Sequence, residues 1–247
     1  MHTQQQNAAA PATPLDNQSP GTFGQTPWQT VGPFFHFSLP WNGCADLTGP
    51  SQIGGRPDLI PGGCAALRGP ERRGVAPPKG EHIRIAGYVF DARGNPVPDA
   101  LLEIWQANAS GYYRGSGAFG PGSARVDANF HGFGRAATAA DGSFCFHTIR
   151  PGRVPFTPTL SALQAPHIAL GVLGRGLLKR LATRIYFSDE PGNAEDPVLG
   201  LVPADRRATL LAQRIDTPQT DAAGAASVHY RFDVRLQGER ETVFFEY

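Results

Sequence analysis

Short runs of alternating polar and apolar residues, each closed by Gly or Pro, recur along most of this chain, and a period of two dictates strands. The best runs are His82–Phe90, Ala100–Gln106, Ser143–Ile149, His167–Leu173, Thr183–Phe187, Val228–Leu236 and Thr242–Glu246. Turn signals separate them, among them Asp91 to Pro96 and the pair Asp141 and Gly142. Thirty glycines and 23 prolines suit such a loop-rich β fold and are too many for a helical one. The one helix expected is Pro203–Gln213, with Pro at its start and Leu210 and Leu211 turned inward. The expected fold is all-β: a mostly antiparallel β-sandwich with long loops, an N-terminal arm and one or two short helices.

Three segments divide the chain. Residues 1–25 are polar and Ala/Gln/Pro-rich, with too little apolar surface to offset the entropy of ordering, and read as a disordered tail. Residues 26–80 carry Trp28, Phe34, Phe35, Phe37 and Trp41 among many Gly and Pro, and read as an irregular arm that packs on a partner and on the core. Residues 81–247 form the sandwich domain, and the 247 residues suffice for one sizeable core.

A net charge of +1, from 22 basic and 21 acidic residues, gives no global attraction to nucleic acid or to an anionic membrane. No run approaches the ~18 apolar residues of a membrane span. The N-terminus lacks the basic start and apolar stretch of a signal peptide, so a cytoplasmic location is expected. Cys44, Cys64 and Cys145 show neither CxxC spacing nor the even count of a disulfide framework, and read as free thiols, with a Cys44–Cys64 bridge across a loop as the alternative. Motifs for nucleotide binding or serine hydrolysis are missing, since there is no GxGxxG after a strand, no GxxxxGK and no GxSxG.

His167 opens a strand, and residues two apart on a strand share a face, so His-x-His there would chelate a metal. Ala169 takes the second place. A single His on an apolar strand is ordinarily a hydrogen-bonded packing residue. The segment Leu102 to Tyr113 runs from a strand into a Gly-hinged loop carrying Tyr112 and Tyr113. It is followed by Phe133 to Arg135, Asp141 to Phe144, Thr148 to Gly152, Pro166 to Ile168, Tyr186 with Phe187, and Tyr230 to Asp233. In this order the segments resemble the intradiol ring-cleaving dioxygenases over roughly residues 26–247, and within them the protocatechuate 3,4-dioxygenase family, whose related α and β chains pair.

The resemblance implies a ferric site of two tyrosines and two histidines in a catalytic chain, phenolate being a hard donor suited to Fe(III). The first tyrosine position falls on Tyr113 and the first histidine on His167. The second tyrosine position falls near Val154, in the segment Gly152 to Pro155, and the second histidine on Ala169, and neither Val154 nor Ala169 can donate to a metal. Gln164 stands near the position of the Arg that precedes the histidine pair in catalytic chains. The chain is therefore expected to be an α-type subunit with these four as vestigial ligand positions, no catalytic residue and no metal of its own. Fe(III) is then held by a β partner in αβ units of a higher oligomer. Thr30, Gly32 and Pro33 of the arm are expected to line that partner's substrate pocket, although a Thr-x-Gly-Pro sequence also reads as a plain turn. Arg135 is the expected holder of a substrate carboxylate, with a solvated surface role as the alternative. The reaction implied is cleavage of 3,4-dihydroxybenzoate by O2 to 3-carboxy-cis,cis-muconate. Two other readings stay open: a self-sufficient dioxygenase using Tyr112, Tyr113, His167 and a loop residue, and a purely scaffolding sandwich. His36 and His131 join His167 in no metal-site spacing.

Overall fold

The computed structural model describes residues 32, 39, 44–48, 77–114, 127, 129–157, 160–220 and 226–246. The expected tail over 1–25 lies outside the described residues, as do most of 26–80, including Thr30, Pro33, His36 and Cys64. Eleven strands run through the described part: β1 (His82–Phe90), β2 (Leu101–Gln106), β3 (Phe133–Ala137), β4 (Ser143–Ile149), β5 (Val154–Thr157), β6 (Leu160–Gln164), β7 (His167–Leu173), β8 (Leu181–Phe187), β9 (Leu211–Thr220), β10 (Ala226–Arg231) and β11 (Val234–Arg235).

One layer is β4-β1-β10-β9 and the other β3-β2-β7-β8, with β5 and β6 forming a separate hairpin. β9 belongs to both layers: Leu211 and Ala212 pair in parallel with Tyr186 and Phe187 of β8, and the rest pairs antiparallel with β10. Most pairings are antiparallel, the exceptions being β1 with β10, β1 with β11 and β8 with β9. The alternation of β1 places Ile83, Ile85 and Val89 inward, against Leu102 and Ile104 of β2, Phe144 and Phe146 of β4, and Ile168, Leu170 and Val172 of β7. Burial of these branched and aromatic side chains is the main force holding the layers together.

The segment 44–48 closes the edge opposite β9. Cys44 O accepts from Arg135 N of β3 at 2.7 Å, Ala45 O accepts from His147 N of β4 at 2.9 Å, and Leu47 N donates back to His147 O. Gly134 makes room for it, because a Cβ there would lie 2.5 Å from Leu47 Cδ1.

Three expectations are corrected. Pro203–Gln213 is not a helix: Pro203 starts a turn, a 3-10 segment covers Arg207–Leu210, and the chain then extends as β9. Backbone groups of β8 and β10 pair with Leu211 onward, and this tertiary pairing overrides the local helical pattern. Among the described residues the helical elements are short 3-10 turns, the others being Pro191–Glu195 and Leu199–Leu201. Val228–Leu236 is broken at Phe232 and Asp233, where the chain crosses Gly87 so closely that a Cβ there would lie 1.7 Å from Phe232 O. Thr242–Glu246 is not a strand but makes an isolated bridge from Phe245 to Ala182.

Candidate functional site

Residues opposite one another on neighbouring strands share a face. On the outer face of the β3-β2-β7-β8 layer, Phe133, Trp105, Ala169 and Arg184 therefore form one row. His167 and Tyr186 are the next outward pair between β7 and β8. Tyr113 comes back over this face and stacks on Trp105, with ring centroids 5.9 Å apart and planes at 8°. Val154 reaches the same place from the β5–β6 hairpin, where it pairs with Gln164, three residues before His167. The register thus gathers all four expected ligand positions around the start of β7.

Their chemistry is not that of a metal centre. His167 is only 5% exposed, and its Nδ1 lies 2.8 Å from Ala165 O. Burial, reinforced by the Arg184 charge, pulls its pKa from 6.5 to about 4, against smaller opposing effects of the Ala165 carbonyl and Asp196. The ring is therefore neutral at neutral pH. Tyr186 is fully buried, its pKa raised chiefly by burial, and its hydroxyl donates to Asp196 Oδ1 at 3.1 Å. Arg184 Nη1 donates to Gln164 Oε1 at 2.7 Å and lies 3.4 Å from Tyr186 Oη. Gln164 Nε2 in turn donates to Pro155 O at 3.1 Å. Asp196, 2% exposed, accepts from the backbone N–H groups of Ala165, Val198 and Leu199 as well. Its carboxylate thereby ties the entry to β7 to the 3-10 turn at Leu199.

A ferric ion does not fit these groups. Val154, 4% exposed, and Ala169 offer hydrocarbon only. Tyr113 packs on Trp105, and the charge acting most strongly on His167 is the Arg184 guanidinium, ahead of the Asp196 carboxylate. Among the described residues no three His, Cys, Asp or Glu side chains come together as a metal site.

Arg135 lies on the outer face of β3, one outward row away from Trp105. Its Nε meets Glu103 Oε1 at 2.7 Å, its Nη1 donates to Leu39 O at 3.1 Å, and its guanidinium covers the Phe133 ring at 5.3 Å. Glu103 also takes Arg180 Nε at 3.4 Å. Gly32 has φ of +73°, with nothing within 4 Å of a Cβ position. The left-handed backbone is by itself a reason for glycine there. His131 sits beside Arg114, whose Nη1 lies 3.2 Å from His131 Nε2. Arg184, Tyr186 and Asp196 were not singled out as site residues by sequence reasoning. Arg184 is interior to a strand and belongs to no motif, and only the register against Ala169 reveals it.

Comparison with known proteins gives the family. A family profile for dioxygenases matches residues 57–238. The protocatechuate 3,4-dioxygenase alpha chain of Burkholderia cepacia is 42% identical over 231 residues, which cover 91% of this chain and 98% of that one. The chain belongs to the intradiol dioxygenase family. Within it, the alpha chain of Pseudomonas putida is 38% identical over 90% of this chain and 96% of its own length. The beta chain of Burkholderia cepacia is also an intradiol dioxygenase relative, 36% identical over 67% of this chain and 68% of its own. Among solved structures, hydroxyquinol 1,2-dioxygenase from Pseudomonas putida DLL-E4 superposes with a TM-score of 0.51 at 22% identity. It covers 64% of this chain and 56% of that one, and carries the fold alone.

Proposed function

We propose that this chain is the α-type subunit of a protocatechuate 3,4-dioxygenase and that it acts with a β partner to cleave 3,4-dihydroxybenzoate with O2, giving 3-carboxy-cis,cis-muconate. The observation that carries this reading is the conjunction of α-chain similarity with a pocket that keeps Tyr113 and His167 but has Val154 and Ala169 at the other two expected ligand positions. Fe(III) then belongs to the β chain, which supplies the metal chemistry. This chain supplies shape and charge at the αβ interface.

In this reading residues 26–80 are an arm, and Thr30, Gly32 and Pro33 wall the partner's substrate pocket. Arg135 contributes a guanidinium for the substrate carboxylate, which would share it with Glu103. Tyr113, Val154, His167 and Ala169 are inherited positions with packing or hydrogen-bonding roles. A cytoplasmic location belongs to the same proposal and is in keeping with free thiols at Cys44 and Cys145.

The test is to express the chain alone and with a β partner, and to measure bound iron, visible tyrosinate-to-iron absorption and protocatechuate-dependent oxygen uptake. The chain alone is expected to be colourless, iron-poor and inactive, and the pair coloured and active. Iron and activity in the chain alone would overturn the proposal in favour of a self-sufficient enzyme. Removal of residues 1–25 is expected to leave the pair active, whereas removal through Phe34 impairs it. Full activity after the longer deletion would reduce the subunit to a scaffold.

A further inference from the structure

We infer that the guanidinium of Arg184 has taken over as the resident cation of the former metal pocket, so that this chain excludes iron by occupancy as well as by loss of ligands. The inference rests on the α-subunit reading above and concerns what replaced the metal.

The register carries the argument. Arg184 is directly opposite Ala169 on β8, on the same outward face. An imidazole at position 169 would start about 5 Å from the arginine's Cβ and project beside its side chain. The same Nη1 donates to Gln164 Oε1 at 2.7 Å and lies 3.4 Å from the hydroxyl of Tyr186, the residue opposite His167. Gln164 is the cross-strand partner of Val154. One guanidinium nitrogen is therefore within one residue of the two lost ligand positions and of the cross-strand neighbour of the one retained imidazole.

The donor set suits this cation and not a trivalent one. Gln164 Oε1 is a neutral amide oxygen, and Tyr186 Oη is a phenol whose own proton goes to Asp196. Neutral oxygens satisfy a monovalent, delocalised guanidinium, which is weakly hydrated and carries five N–H donors. Fe(III) asks for anionic phenolates or carboxylates and is repelled by a fixed positive charge beside it. Gln164 also holds Pro155 O through its Nε2, so the arginine fastens the β5–β6 hairpin to β8. Restoring ligands without removing Arg184 leaves the cation in place.

The experiment compares four full-length chains: wild type, Val154→Tyr with Ala169→His, that pair with Arg184→Ala, and that pair with Arg184→Lys. Each is incubated with ferrous sulfate in air, freed of loose metal, and read for iron per chain and for visible tyrosinate-to-iron absorption. The Arg184→Ala combination is expected to retain at least tenfold more iron than the ligand-restored pair and to gain colour. The Arg184→Lys combination is expected to stay iron-poor, because it keeps the charge. Equal iron with and without Arg184, or no iron in a folded Arg184→Ala combination, overturns the inference. Iron in the wild type would sink the α-subunit reading instead, which keeps the two failures apart. If the combined variants do not fold, the single Arg184→Ala chain decides. Millimolar guanidinium chloride, against sodium chloride at equal ionic strength, is expected to raise its Tm and not that of wild type. No rescue refutes the cation site.

Discussion

Replacing Asp196 by Ala tests how far the pocket depends on one buried carboxylate. Four donors converge on it: Ala165 N–H at 2.7 Å, Tyr186 O–H at 3.1 Å, Val198 N–H at 2.9 Å and Leu199 N–H at 2.7 Å. Ala165, Tyr186 and Leu199 are buried, so water cannot readily take the place of the lost oxygens. Each buried donor left unpaired costs about 1–3 kcal/mol, and three of them about 3–6 kcal/mol when values in the lower part of that range apply. In a chain of this length each kcal/mol lowers Tm by roughly 2–4 °C, which gives a fall of roughly 10–20 °C. Asp196→Asn keeps one acceptor oxygen and should lose about half as much. Equilibrium urea unfolding and thermal melts of the purified chain measure both. A loss under about 1 kcal/mol in Asp196→Ala would refute the reasoning, since the donors would then be finding other acceptors.

His167 should make stability depend on acid. Its folded pKa of about 4 lies below the ordinary 6.5, so the unfolded chain takes up the proton first as pH falls. The full contribution is present above pH 6.5 and is lost as pH drops toward 4, by about 3 kcal/mol in total. His167→Gln should flatten that part of the stability curve, and identical slopes for the two chains would rule the effect out. Gly87→Ala should destabilise by at least about 1–3 kcal/mol, because the new Cβ collides with the backbone of Phe232. An unchanged urea midpoint would show that the crossing at Phe232 is looser than described. Arg135→Ala in the assembled enzyme should raise KM for protocatechuate more than for catechol. Equal changes would remove it from carboxylate recognition.

Strand positions proved easiest to read where one face is buried and the other is wet. β1 and β4 alternate cleanly, and their bounds were legible because each inward Ile or Phe is followed by a polar or small outward residue. β9 was misread because Pro203 and the adjacent Leu210 and Leu211 mimic a helix start and an inward pair. In the fold Leu210 closes a 3-10 turn and Leu211 opens a strand. The four expected ligand positions could be named from sequence because each sits in a segment that carries the family resemblance. Arg184 and Asp196 could not, since their roles come from cross-strand register and from a turn that folds back about thirty residues later. Gln164 was noted as a lost arginine. Its amide in fact receives another arginine from the neighbouring strand.

The short segment 44–48 has a consequence for how the protein behaves at high concentration. β3 and β4 are the outermost strands of their layers at that side, and an outermost strand offers its amides and carbonyls to any other chain. Hydrogen bonds from Arg135 and His147 to Cys44 and Ala45 use up part of both borders at once. A protease cut after Thr48 that let this clasp drift away would pull Leu47 out of the core, bare both borders and let the chain template its own aggregation.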